Sequence, residues 1–201
     1  MCGLLRVRSK EDPFMSDTRV EAQLYRETDA KPLAELMVWR RHPDTGVPAE
    51  GMLRWGLIPH WMKARPEIRP INARAETIGE KRMFSEAYAK RRCIVPMDAF
   101  YERDKSKKLH AFAMKDGKPF GVAGVWENWH NADGEWERTF CIITVPANEL
   151  VGAIHDRMPA IIPIEQHPRW LGTEPDPRDL LAPFPADQMK ALPRKTRRRR
   201  G

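Results

Sequence analysis

The residue with the most distinctive chemistry stands at the start of the chain. Met1 precedes a small residue, so an aminopeptidase can remove it, and Cys2 then carries a free α-amine beside a free thiol. That pair is a 1,2-aminothiol. At pH 7 an α-amine of pKa near 7.8 is roughly one-seventh neutral, whereas a lysine is only about 0.04% neutral, a ratio of roughly 300 in available nucleophile. About 3% of an ordinary thiol is thiolate at that pH, and neighbouring cations raise the fraction. An aldehyde meeting such an end forms an imine that the sulfur traps as a five-membered thiazolidine. The alternative is that Cys2 is a small buried residue near the start of a strand.

Three further clusters offer acid-base or orienting groups. In INARAET (71–77), Asn72, Arg74 and Glu76 alternate, so an extended segment would point an amide, a guanidinium and a carboxylate to one side. Exposed polar alternation explains the same pattern. In DAFYER (98–103), Glu102 follows Phe100 and Tyr101, where partial desolvation would raise its pKa toward proton-transfer duty. In HDRMP (155–159), His155 sits beside Asp156 and Arg157 ahead of a proline, in position to shuttle protons or to close a helix end. His42 and His60 are far apart and no zinc-type spacing occurs, so no metal site is expected. Phosphate-loop and dinucleotide glycine patterns are absent, so no cofactor is expected either.

The elements that must position these residues are short. Eighteen prolines and twelve glycines interrupt the 201 residues and leave little room for long helices. Residues 137–145 read as a buried central strand and 91–97 as a second, ended by Pro96. Asp116-Gly117 predicts a hairpin between strands at 109–114 and 120–126. Helical patterning is clearest over 75–90, with shorter helices at 147–154 and 164–171. The sum is an α+β fold: a compact single domain, mainly antiparallel β-sheet and barrel-like, with a few short helices. It spans 1–186, and a basic, disordered tail follows at 187–201.

Charge is localised. Of the net +7, six positive charges fall within the last eight residues, and residues 54–108 carry fourteen Lys/Arg against seven Asp/Glu. Trp55, Trp61, Phe84 and Tyr88 interleave the central basic stretch, a mixture suited to single-stranded nucleic acid or to a core. The terminal block attracts polyanions without sequence choice, or serves solubility. No apolar run approaches a membrane span, and the N-terminus lacks the apolar stretch of a secretory leader, so a cytoplasmic, non-membrane protein is expected. Cys2, Cys93 and Cys141 are odd in number and widely spaced, which predicts thiols and no disulfide framework.

Taken in order, MCG, WGLIPHW with INARAET, CIVPMDAFYE and HDRMP resemble the SOS response-associated peptidase family, the abasic-site processing proteins, from Cys2 to about Leu171. The resemblance implies that Cys2 crosslinks to the ring-opened aldehyde of an abasic site in single-stranded DNA through a thiazolidine. It implies that Asn72 positions the amine or sugar, that Glu102 assists ring opening, and that His155 moves protons in imine formation and reversal. Arg74, Arg82, Trp61 and Arg157 match the DNA-facing positions, and the expected assembly is a monomer. Three departures stand out. Residues 17–54 contain no YN-x-AP stretch, Met62 stands where a second tryptophan often follows Trp61, and ALPRKTRRRRG replaces the usual last strand. Two other activities fit the residues. A thiol peptidase would use Cys2, His155 and Asn72 as nucleophile, base and orienter. A plain basic nucleic-acid-binding module would leave Cys2 inert.

Overall fold

A computed structural model describes residues 3–8, 27–42, 45–174 and 176–192. In chain order the strands are β1 (Leu5–Arg8), β2 (Glu27–Ala30), β3 (Glu35–Arg41), β4 (Pro48–Trp55) and β5 (Asn72–Arg74). After a 3-10 turn at Ala75–Thr77 and helix α1 (Ser85–Lys90) come β6 (Arg92–Met97), β7 (Ala99–Arg103), β8 (Leu109–Met114), β9 (Phe120–His130) and β10 (Trp136–Pro146). Helix α2 (Glu149–Gly152), β11 (Arg157–Pro159), β12 (Ile161–Ile162), α3 (His167–Trp170) and β13 (Met189–Leu192) complete the described chain.

The apolar runs dictate a closed core. Strands β10, β4, β3, β6 and β9 pair in that order, and β9 pairs back onto β10 from Trp136↔His130 to Ile142↔Gly124, which closes a five-stranded barrel. Its interior alternates inward-facing residues: Phe140 stands beside both Trp126 and Trp55, and Cys93 beside Gly124. Gly124 is obligatory here, because a Cβ would lie 2.9 Å from both the Cys141 carbonyl oxygen and the Cys93 sulfur. Strand β10 is the hub. It runs parallel to β4 and β5 and antiparallel to β9 and β11, so the ends of β5 and β11 flank its last residues. A second sheet, β13-β8-β7-β1-β2, packs against the barrel through β1 and β6 and through α2 and β13.

Three buried tryptophans do two jobs each. Burying so large a side chain contributes on the order of 1.5–3 kcal/mol, and each indole N–H also fixes a loop. Trp55 donates to the Ile71 carbonyl at 2.9 Å, Trp129 to Met62 at 2.7 Å and Trp170 to Cys93 at 2.9 Å. The first two hold the start of INARAET and the residue that follows WGLIPHW against the barrel.

The mainly antiparallel, barrel-like α+β architecture read from the sequence is the one observed, and the strands at 91–97 and 137–145 are present as β6 and β10. Four local expectations need correction. The chain does turn at Asp116-Gly117, where Gly117 has φ +76° and its N–H bonds to Met114 at 3.2 Å. Yet β8 and β9 do not pair: β7 and β13 occupy both edges of β8, and β9 enters the barrel between β6 and β10. Residues 75–90 do not form one helix. They make a 3-10 turn, a run of tight turns and the six-residue α1, and this broken path still buries Ile78, Phe84, Ala87 and Tyr88. Helices 147–154 and 164–171 shrink to α2, capped by the Asn148 side chain, and to a 3-10 turn leading into α3. Finally, β13 lies beyond residue 186 and pairs with β8 from Met189↔Met114 to Leu192↔Ala111. Ordered structure therefore continues through Leu192, and a last strand is present. The arginine-rich end lies outside the described residues, as does Cys2.

Candidate functional site

Glu102 is placed by β7, whose neighbours explain its burial. The Tyr101 N–H bonds to the Leu4 carbonyl at 3.1 Å and Leu5 pairs with Phe100, so continuing the register sets Gly3 opposite Glu102. The carboxyl is 2% exposed. Burial pushes its pKa up, while the charge of His155 pulls in the opposite direction. Two residues that are 53 positions apart in sequence, one on a strand and one in a turn, thus share one electrostatic neighbourhood.

His155 follows α2 at the turn into β11. Its backbone N–H bonds to Val151 at 2.9 Å, and its ring Nδ1 accepts the Arg157 N–H at 3.0 Å, with Asp156 Oδ1 at 3.1 Å. A neutral ring that accepts at Nδ1 carries its proton on Nε2.

Asn72 and Arg74 share one side of β5, with Asn72 half-buried, Arg74 exposed and Ala73 turned into the core. Parallel pairing sets them beside Ile142 and Thr144 of β10. Glu76 departs from the expected common face because the chain has entered a 3-10 turn by then, and its carboxylate is bound by Arg157. The guanidinium of Arg157 also donates to the Thr144 carbonyl at 2.5 Å, and the residue is 8% exposed. Arg157 therefore faces inward and ties β11 to the end of β5, a different position from the DNA-facing one expected of it.

Trp61 and Arg82 meet. The guanidinium lies 4.3 Å from the indole centroid, and Trp61 is 38% exposed. The loop carrying Trp61 is held on both sides: the Ile58 N–H bonds to Thr139 Oγ1 at 2.9 Å, and His60 Nδ1 lies 3.2 Å from Glu127 Oε2. Glu127 is 2% exposed and is bound at 3.0 Å by Arg91, which also approaches Glu86, the carboxylate 3.3 Å from His60 Nε2. Sequence reasoning missed this network, since its members are scattered over 67 positions and share no spacing motif.

Cys93, inside the barrel, and Cys141, on the opposite face of β10, are buried free thiols, and burial pushes both thiol pKa values up, so neither is an activated nucleophile. No helix among the described residues is long and apolar enough to cross a membrane.

This barrel, with its basic aromatic loop and a carboxyl-imidazole pair beside the N-terminal strand, has known counterparts. The chain belongs to the SOS response-associated peptidase (SRAP) family, whose profile matches residues 1–197. It is 43% identical over 150 residues to the abasic site processing protein YoqW of Bacillus subtilis, covering 70% of this chain and 67% of that protein. It is 30% identical over 154 residues to the mouse abasic site processing protein HMCES, covering 59% of this chain and 44% of the mouse protein. A crystal structure of a protein from Bordetella bronchiseptica superposes with a TM-score of 0.77 at 30% identity, covering 94% of this chain and 98% of that one.

Proposed function

We propose that this protein recognises and shields abasic sites in single-stranded DNA by forming a thiazolidine crosslink through Cys2 once Met1 is gone. The α-amine adds to the ring-opened aldehyde and expels water to give an imine. The thiol then adds across that C=N bond, its proton passing to nitrogen. The observation that carries this reading is the register of β1 against β7: Gly3, one peptide bond from Cys2, falls opposite the buried carboxyl of Glu102. A carboxyl whose pKa burial raises is suited to protonate the ring oxygen of a closed deoxyribose as the sugar opens. In this reading His155 moves protons between the amine and the leaving water, and Asn72 orients the amine or the sugar hydroxyl. The exposed Arg74 binds phosphate, and Trp61 with Arg82 stacks on a base beside the lesion. Arg157 acts indirectly, by fixing β11 and therefore His155. The names of the similar proteins support an abasic site as the substrate.

The folded unit in this reading is one domain reaching Leu192, and the arginines after it add sequence-independent affinity for the phosphate backbone. Single-stranded DNA is the substrate class because exposed aromatic and cationic groups beside a reactive terminus suit an unpaired strand.

The deciding experiment incubates the protein with single-stranded DNA containing one abasic site and resolves the products under denaturing conditions. The expected result is a retarded band that is absent for Cys2→Ala and absent with intact DNA. No band from a wild-type protein whose mass shows Met1 removed would defeat the reading. The family description also contains the word peptidase, and the same preparation tests it: Cys2→Ala that still loses Met1 shows that self-cleavage is not required.

A further inference from the structure

The mouth of the barrel beside Arg40 contains a buried cation that no carboxylate among the described residues neutralises. Val38 and Arg40 point inward on β3, Ala49 and Gly51 face them from β4, and Cys93 faces Arg40 from β6. On β9 and β10 the pairs on the inward-facing side are Trp126↔Phe140, then Asn128↔Arg138 near the rim, with Trp136↔His130 the last. Arg40 is 5% exposed, and its guanidinium lies 4.6 Å from the Trp126 ring centroid. Its Nε and Nη1 are buried without an acceptor among the described residues, and so is the Nε1 of Trp126. The buried Oδ1 of Asn128 also has no partner, and an amide can present its NH2 there instead by rotating half a turn.

Every charged group acting on Arg40 makes this worse or fails to help. Arg138 repels it, and the Cys93 thiol stays protonated because of its own burial. A guanidinium removed from water without a carboxylate is costly unless something else satisfies it. The half-buried Ala49, Gly51 and Asn128 and the exposed Arg138 leave this end open to solvent, and no side chain at Gly51 stands over Arg40. Several orphan N–H donors around one cation, with a second guanidinium at the rim, match a compact anion with acceptor oxygens on several sides.

We propose that this mouth is a phosphate-binding site, built from Arg40, Arg138, Trp126 and Asn128, that takes a compact oxyanion either free or as the monoester phosphate of a nucleotide. It is separate from Arg74, which sits beside Thr144: Arg138 and Thr144 are six residues apart along β10, roughly 20 Å at about 3.3 Å per residue. It also does not depend on Cys2.

The test is thermal unfolding and calorimetric titration of the full chain with sodium phosphate, at ionic strength held constant with sodium chloride. Parallel arms use thymidine 5′-monophosphate and thymidine. Phosphate should raise the melting temperature by several degrees at saturating concentration. A shift from the nucleotide alone, with none from thymidine, supports the site and assigns the source as a phosphomonoester. Arg138→Ala, at an exposed position, should fold normally and bind at least about tenfold more weakly, the size of one charge-assisted hydrogen bond. Arg40→Met should melt no lower than wild type without phosphate, since an unsatisfied buried cation is gone, and should not respond to phosphate. Wild-type insensitivity to both phosphate and nucleotide overturns the proposal, as does an equal shift in wild type and Arg138→Ala. Should Arg40→Met fail to fold, the Arg138→Ala comparison decides alone.

Discussion

Arg157 holds Glu76 across the end of β10 with both of its terminal nitrogens, and one of them also donates to the Thr144 carbonyl. Three elements meet at this guanidinium: the 3-10 turn that follows Asn72 and Arg74, the central strand, and the strand that follows His155. The structure thereby couples the placement of an amide and an imidazole that are 83 positions apart in sequence.

Arg157→Met keeps the aliphatic packing and removes the donors. It should destabilise the fold by about 1–3 kcal/mol, the cost of an unsatisfied buried carbonyl; the half-exposed Glu76 adds less, because water screens it. Hydrogen bonding from Arg157 holds the Glu76 carboxyl below the ordinary glutamate range. A lowered carboxylate stabilises the fold above its unfolded pKa, and that contribution disappears as pH falls through the folded value. Urea denaturation between neutral pH and the acid range should therefore show a pH-dependent component in wild type that is missing in Arg157→Met.

Glu102 gives the opposite sign. Burial raises its pKa above that of an unfolded glutamate, so its neutral form is favoured in the fold, and stability is lost as pH rises from the unfolded value through the folded one. Glu102→Gln keeps the shape and removes the ionisation. Melting at neutral and mildly alkaline pH should be at or above wild type, while crosslinking to abasic DNA slows by roughly 100-fold, within the range for general acid-base catalysis. A variant that is stabilised but crosslinks at the wild-type rate would show that the carboxyl has no part in ring opening.

What the sequence made legible was burial, and what it hid was partnership. The β-branched and aromatic run at 137–145 had to be interior, but nothing local says that β10 pairs with four other strands, two of them parallel. Asp116-Gly117 specified a turn correctly. Whether the flanking strands then paired depended on β7 and β13, which fill both edges of β8 from distant parts of the chain. The helical spacing over 75–90 marked the right apolar residues, since Ile78, Ala87 and Tyr88 are all buried, although only Ala87 and Tyr88 are delivered by a helix and Ile78 by a turn. Among the candidate site residues, alternation correctly set Asn72 and Arg74 on one side of β5. It failed at Glu76, which a 3-10 turn carries off the strand to an ion pair with Arg157, 81 positions away.

The contact between Trp61 and Arg82 is a direct target for binding measurements. Stacking a base on an exposed aromatic is worth about 1–3 kcal/mol, so Trp61→Ala should weaken non-covalent single-stranded DNA binding by roughly 5- to 150-fold. The loss is best measured in a Cys2→Ala background, where no crosslink forms. Arg82→Ala should lose less at high salt than at low salt, because the attraction of its charge to the DNA backbone is screened while the Trp61 stacking surface remains. Fluorescence anisotropy at two salt concentrations separates the two contributions, and equal losses for both variants at both salts would contradict the assignment.

The loop that presents Trp61 depends on a carboxylate that it does not contain. Glu127 is almost fully buried and is held by Arg91 at 3.0 Å and by His60 at 3.2 Å. Arg91→Met leaves that carboxylate with the histidine alone, and breaking a buried pair from one side is costly: about 3–5 kcal/mol in a dry site, less here because Arg91 is one-fifth exposed. Glu127→Gln in the same chain removes the orphaned charge, so the double variant should recover a large part of the loss. If the two substitutions simply add, the pair does not stabilise the fold and the Trp61 loop must be held by the Ile58 and Trp129 hydrogen bonds. If the double variant recovers stability but still binds single-stranded DNA weakly, the charge pair sets the position of Trp61 in addition to stabilising the barrel.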